Sequence, residues 1–313
     1  MLDGGSRSPM RPMRRRLGMK REMGRALRAL AEAKRVLTGR QMARRGATIF
    51  PDDVYLVSYP RSGNTWTRFL LGNLLHPDDP ATFRNIESRV AEIYFNPDHV
   101  LRRLPRPRLL KSHEAFHPNY PRVICIVRDP RDVAVSFYHH NVKARNIPDS
   151  YPMDEFIPRF MAAEFDPWWG SWADNVMSWI KMRDGRDTFL LLRYEDMKED
   201  SQRELRKIAV FLEEAGFRDI EATPERLAQA VQLSSADRMR ALEKQAAGEY
   251  AQLKQTRQDK PFVRSAEAGG WKTALSEKSV ALIEKGWGAI MQDLGYTRSR
   301  TPQEEEVSRL ERV

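Results

Sequence analysis

Four short apolar runs, hydrophobic on both faces and separated by longer polar or helix-patterned segments, constrain this chain more than any other feature. They are VYLVS (54–58), RLLKS (108–112), RVICIV (122–127) and TFLLLRY (188–194). A strand with one wet face alternates apolar and polar residues; these runs leave no polar face, so both sides must be covered. Stretches with helical periodicity lie between and after them, at 65–75, 132–142, 171–183, 201–214, 224–232 and 277–293. Doubly buried strands alternating with helices predict a single α/β domain, a parallel β-sheet flanked by helices. At 313 residues, 41% of them hydrophobic, the chain is long enough to bury one such core.

In a sheet of this kind ligands bind beyond the carboxyl ends of the strands, so the polar segments there carry the candidate chemistry. YPRSGNTW (59–66) joins strand to helix through one glycine, Gly63, flanked by Ser62, Asn64 and Thr65, with Arg61 before them. Backbone N–H groups at such a helix start converge on an anion, which makes the loop P-loop-like. It is not a Walker A loop, because GxxxxGK[ST] is absent and no Lys precedes Thr65.

RDPRDVAVS (128–136) places Arg128 at a strand end, Asp129 and Pro130 at a helix start, and Ser136 on the first turns of that helix. Arg128 and Ser136 suit a second phosphate, the alternative being a buried Arg128–Asp132 pair. In KSHEAF (111–116), Lys111 and His113 stand on the same side of an extended chain. A neutral imidazole there suits the removal of a proton from a hydroxyl, and a lysine suits a developing negative charge. HEAFH (113–117) also matches a zinc-peptidase pattern, but that chemistry needs an intact helix. The motif follows a strand directly and Pro118 ends any helix, so no metal is expected.

The formal charge of +10 is not spread evenly. Residues 1–50 hold 14 Lys and Arg against three acids, and the rest of the chain is close to neutral, so a nucleic-acid-binding body is not expected. Within the basic segment Met19, Met23, Leu27, Leu30 and Leu37 recur at helical spacing among arginines. Two readings of residues 14–45 stand: peripheral contact with an anionic membrane surface, or a helix packed on the domain. The lone Cys125 cannot form an internal disulfide and no apolar run is long enough to span a bilayer, so the expected location is cytoplasmic or peripheral to a membrane. The expected organisation is a basic extension over 1–50, a domain over 51–297 and a charged tail over 298–313.

Taken in order, YPRSGNTW, LLKSHEAF, RVICIVRDPRDVAVSFYHH, WGSWADNV, RYEDMKED and GGWKT resemble the sulfotransferase family that uses 3′-phosphoadenylyl sulfate (PAPS), in particular its cytosolic type. The likeness runs over roughly residues 52–296. It implies a donor with a 5′-phosphosulfate at one end and a 3′-phosphate at the other. By that resemblance residues 61–66 wrap the 5′-phosphate through backbone amides and the Arg61 and Thr65 side chains, and Trp66 stacks on the adenine. Arg128, Ser136 and Arg264 hold the 3′-phosphate, while Tyr194 and Ser234 lie near the base. His113 is the general base, Lys111 and Arg61 stabilise the charge in flight, and no metal takes part.

The chain departs from the family pattern at several points. Arg61 stands for a usual Lys and Asn64 for a usual Thr; Ala236 replaces an aromatic that often covers adenine. The covering loop reads Arg264, Ser265, Ala266 instead of RKG. Of the short dimer motif only Lys272 remains, so the oligomeric state stays open. The acceptor is open too: a small-molecule, sugar or lipid hydroxyl, met by loops at 81–107, 143–169 and 238–262, with Phe83, Tyr94, Phe95, Phe137, Trp168 and Trp169 as candidate contacts. Other readings of the residues are a nucleotide-dependent kinase and a non-catalytic membrane- or partner-binding module.

Overall fold

The computed structural model describes residues 42–246, 256–264 and 266–297. The basic amphipathic pattern of residues 19–37, Ser265 and the tail over 298–313 lie outside the described residues.

Five strands form one parallel sheet: β1 (Val54–Ser58), β2 (Ala91–Glu92), β3 (Leu109–Ser112), β4 (Arg122–Val127) and β5 (Phe189–Arg193), in the order β2-β3-β1-β4-β5. The four expected runs are strands within one residue of their expected ends; β2, at the sheet edge, is too short to leave a pattern in the sequence. The helices are α1 (Asn64–Leu75), α2 (Ile86–Arg89), α3 (Asp98–Leu101), α4 (Pro130–Lys143), α5 (Met153–Met161), α6 (Trp172–Arg183), α7 (Tyr194–Glu199), α8 (Ser201–Glu214), α9 (Pro224–Leu233), α10 (Ala236–Ala246), α11 (Trp271–Ala274) and α12 (Glu277–Asp293).

Alternate residues of each strand feed opposite layers. Tyr55, Val57, Leu110, Val123, Cys125 and Val127 pack with Phe137, Phe156, Trp172, Trp179 and Trp287 of α4, α5, α6 and α12. Val54, Leu56, Leu109, Ile124, Ile126 and Leu192 pack on the other face with Leu70, Leu71, Ile208, Leu212 and Leu227 of α1, α8 and α9. Each fully buried aliphatic side chain contributes about 1.5–3 kcal/mol; β1, β3 and β4 are covered on both faces, whereas the edge strand β5 is mostly half-buried. Among the described residues no helix is long and apolar enough to cross a membrane.

The strand order has one consequence for function. The chain leaves β1 toward β2 and β3 on one side and returns to β4 and β5 on the other, so a crevice opens at the carboxyl end of β1.

Candidate active site

Strand register decides which side chains meet at this crevice. Val57 is level with Ser112 in β3, so the residues just beyond, Ser58 and His113, face each other. The His113 Nδ1 lies 2.8 Å from the Ser58 carbonyl oxygen. A carbonyl only accepts, so Nδ1 carries the proton and Nε2 presents a bare lone pair. On the other side Val127 is level with Arg193 in β5, which sets Arg128 beside Tyr194; the guanidinium lies 4.3 Å from the phenol ring centroid.

The HEAFH residues leave β3 as irregular chain, so the two histidines do not share a helical face. His117 stacks on Tyr120, while His113 lines the crevice. Three contacts from α6 pin this segment: Asn175 Nδ2 donates to the His113 carbonyl at 3.1 Å, Trp179 Nε1 to the Glu114 carbonyl at 2.9 Å, and Ser178 Oγ accepts from the Phe116 N–H at 2.8 Å. Among the described residues no cluster of three His, Cys, Asp or Glu is placed to hold a metal ion.

The loop at the end of β1 has the features of an anion cradle. Gly63 is the N-cap of α1, left-handed at φ 100°, and offers no capping side chain. The neighbouring long helices differ: Asp129, Ser171, Asp200, Thr223 and Ser276 each accept a first-turn N–H of their own helix. The first turn of α1 also lacks an acidic residue, so its amides and dipole stay available to an anion. Ser62 Oγ and Arg128 Nε, both buried, have no hydrogen-bond partner among the described residues, and Arg128 lines the crevice.

Arg61 Nε donates to Ser136 Oγ at 3.2 Å, and its guanidinium lies 5.1 Å from the Phe262 ring centroid. Burial, then the cations of Arg128 and Arg264, pull its pKa down to about 10. Arg128 donates to the Glu267 and Arg61 carbonyls, at 2.8 and 3.3 Å. The Arg128–Asp132 pair, the alternative to a phosphate site, is present but long, at 3.9 Å. Asp132 chiefly accepts the N–H groups of Gly269 and Trp271, tying the segment after Arg264 across the crevice.

One cleft of about 700 Å³ runs between these groups, lined by Arg61, Gly63 to Trp66, Arg128, Ser136 and Arg264 in one part and by Lys111, His113, Tyr94 and Trp169 in another. Tyr194 lies against Gly63 and edge-on to Trp66, with ring centroids 5.6 Å apart. Ser234 also reaches the lining, yet its hydroxyl donates to the Ala230 carbonyl and accepts from Asn73, so it is a fully buried link between α9 and α1. Ala236 lines the cleft without an aromatic face.

Of the candidate acceptor contacts, Tyr94, Phe95, Phe137 and Trp169 line the cleft. Phe83 does not: it packs on Phe69 in a core with Met239 and Phe262, because the 81–107 segment turns inward there. Trp168 is 77% exposed and does not line the cleft; its ring centroid lies 5.9 Å from the Arg44 guanidinium. Glu92, Lys198, Asn175 and Phe262 form part of the site or its support and carry no local signal in the sequence.

His113 is held well below the ordinary histidine value, by burial first and the Lys111 cation second. Lys111 is itself fully packed and lowered by burial, against the raising effect of Glu92. A neutral imidazole with one bare nitrogen, a buried lysine, the turn into α1 and the guanidinium groups of Arg61, Arg128 and Arg264 therefore open on one cleft.

Comparison with known proteins identifies the family. Residues 51–295 match the sulfotransferase domain. Sulfotransferase 1 family member D1 of Rattus norvegicus is 30% identical over 261 residues, 78% of this chain and 84% of that protein. Sulfotransferase 1B1 of Canis lupus familiaris is 34% identical over 179 residues, 52% of this chain and 60% of that protein. With sulfotransferase 2B1 of Homo sapiens the match is 31% over 176 residues and spans 46% of that protein's length. The fold resembles mouse sulfotransferase SULT7A1 complexed with PAP, at TM-score 0.62 and 24% identity over 82% of this chain and 91% of that one. It also resembles retinol dehydratase in a complex with retinol and PAP, at TM-score 0.64 and 20% identity over 83% and 86%. The chain belongs to the sulfotransferase domain family.

Proposed function

We propose that the protein moves a sulfuryl group from PAPS to a hydroxyl of an acceptor by direct in-line transfer, with His113 as general base. One observation carries this reading: His113 Nδ1 is committed to the Ser58 carbonyl, which leaves Nε2 bare in the cleft that also holds Lys111 and the loop after β1.

In this reading Nε2 takes the hydroxyl proton as the acceptor oxygen attacks sulfur. The sulfur bond to the bridging oxygen breaks, and the charge left on the 5′-phosphate is met by Lys111, Arg61 and the first-turn amides of α1. Ser62, Gly63, Asn64, Thr65 and Trp66 complete the 5′ side. Arg128, Ser136 and Arg264 take the 3′-phosphate, while Trp66 and Tyr194 flank the adenine and Ser234 fixes the wall behind it. The PAP named in the complexes of SULT7A1 and retinol dehydratase supports this donor, as do the curated sulfotransferase relatives. Retinol and androsterone, named with retinol dehydratase, are both hydroxyl compounds, which supports a small-molecule alcohol among the acceptors. Residues 51–297 are taken as the catalytic domain, with no resident metal.

The test is sulfuryl transfer from labelled PAPS to a panel of phenols, sterols and sugars. Turnover is expected with at least one, falling by about 10²-fold or more in His113→Ala, the usual weight of a general base, with PAP binding retained. Full turnover in His113→Ala would remove His113 from the reaction.

A further inference from the structure

Beneath the reacting end of the cleft lies a set of four charges that come from four different elements, three of them buried and the fourth, Glu87, half-buried. Lys111 of β3 pairs with Glu92 Oε1 of β2, each side chain about 3% exposed. The other Glu92 oxygen faces Arg68 of α1 at 3.4 Å. Arg68 also donates to Glu87 of α2 at 2.7 Å and to the Val90 carbonyl at 2.9 and 2.6 Å. Glu87 in turn accepts the Glu92 N–H at 2.8 Å and the Asn96 amide at 2.9 Å. Register brings Glu92 level with Lys111 across two adjacent parallel strands, so the pair is fixed by the sheet.

We propose that Glu92 is a positioning residue for sulfuryl transfer: through its ion pair it holds the Lys111 ammonium charged and fixed beside His113. This rests on the reading of Lys111 as the group that meets the developing charge. An isolated ammonium buried to this degree would shed its proton, and a neutral amine could not stabilise the transferring group. The other groups facing Lys111 do not supply the needed charge. Arg68 and His113 are cationic or neutral, the Tyr94 ring lies 5.6 Å away as a π-face, and β1 presents Leu56 in register. Glu87, paired with Arg68, raises Lys111 less than Glu92 does. Burial lowers Lys111 and Glu92 opposes it, so removing Glu92 moves Lys111 deprotonation to lower pH.

The experiment compares pH profiles of kcat for the unaltered protein, Glu92→Gln and Glu92→Asp, alongside the pH dependence of Lys111 carbamylation by cyanate, read by peptide mass. In Glu92→Gln both the alkaline limb of kcat and the onset of carbamylation are expected to move down by about one pH unit or more, with the donor KM changed far less than kcat. Glu92→Asp is expected to restore most of the limb. An unmoved limb and unmoved carbamylation in a folded Glu92→Gln would overturn the proposal. So would carbamylation of the unaltered protein that shows Lys111 already neutral at pH 7, a readout that needs no variant to fold. Should Lys111→Ala turn over normally, the reading of Lys111 fails instead, while the carbamylation profiles still report what Glu92 does.

Discussion

At the scale of single residues, His113 shows how much a side chain owes to one hydrogen bond. The Ser58 carbonyl chooses its tautomer, and burial beside Lys111 keeps it neutral. The sign of the pH effect follows. A base acts only when unprotonated, and a lowered pKa means that protonation sets in only at lower pH. The acid limb of kcat/KM is therefore expected below the ordinary histidine value of about 6.5. A pH–rate profile checks this, and an acid limb at or above that value would assign the base to another group. Lys111, His113, Arg61 and Arg128 were legible in the sequence because each stands at or just beyond the end of a doubly apolar run, where an α/β sheet exposes its loops. Glu92 was not. Its strand has two residues, too few for any period, and its partner is chosen by register with a strand that begins 17 residues later.

At the scale of elements, the turn into α1 depends on a glycine for two separate reasons. Gly63 sits at φ 100°, and a Cβ there would lie 2.4 Å from Tyr194 Cδ2. Gly63→Ala is expected to lose about 1–3 kcal/mol in denaturant unfolding and to weaken nucleotide binding, since Tyr194 and the loop must part to admit the methyl group. Equal midpoints for the two proteins would show that the ring yields freely. Six of the long helices were readable from their spacing; α5, which carries Pro158 inside it, and α10 were not among the expected ones. The tie between Asp132 and residues 269–271 spans 137 positions and more, beyond the reach of local pattern altogether.

At the scale of the whole molecule, Arg61, Arg128 and Arg264 gather around one end of the cleft; burial first and the Arg128 cation second lower both Arg61 and Arg264. A bisphosphate would relieve that repulsion. Thermal unfolding with 3′-phosphoadenosine 5′-phosphate at a hundred times its Kd is expected to show about 2.7 kcal/mol of added stability, and ADP at equal concentration much less. Equal shifts would mean that Arg128 and Ser136 do not distinguish a 3′-phosphate. The order of the strands adds a constraint that no side chain expresses. Neighbouring strands lie about 4.8 Å apart, and His113 and Arg128 hang from β3 and β4, the two flanks of β1, roughly 10 Å across the sheet. The sheet is thus a ruler laid under the cleft. In the proposed reading, a donor gripped at the far flank and reacting at the near one spans β1, a reach that inorganic sulfate and short sulfate esters do not have.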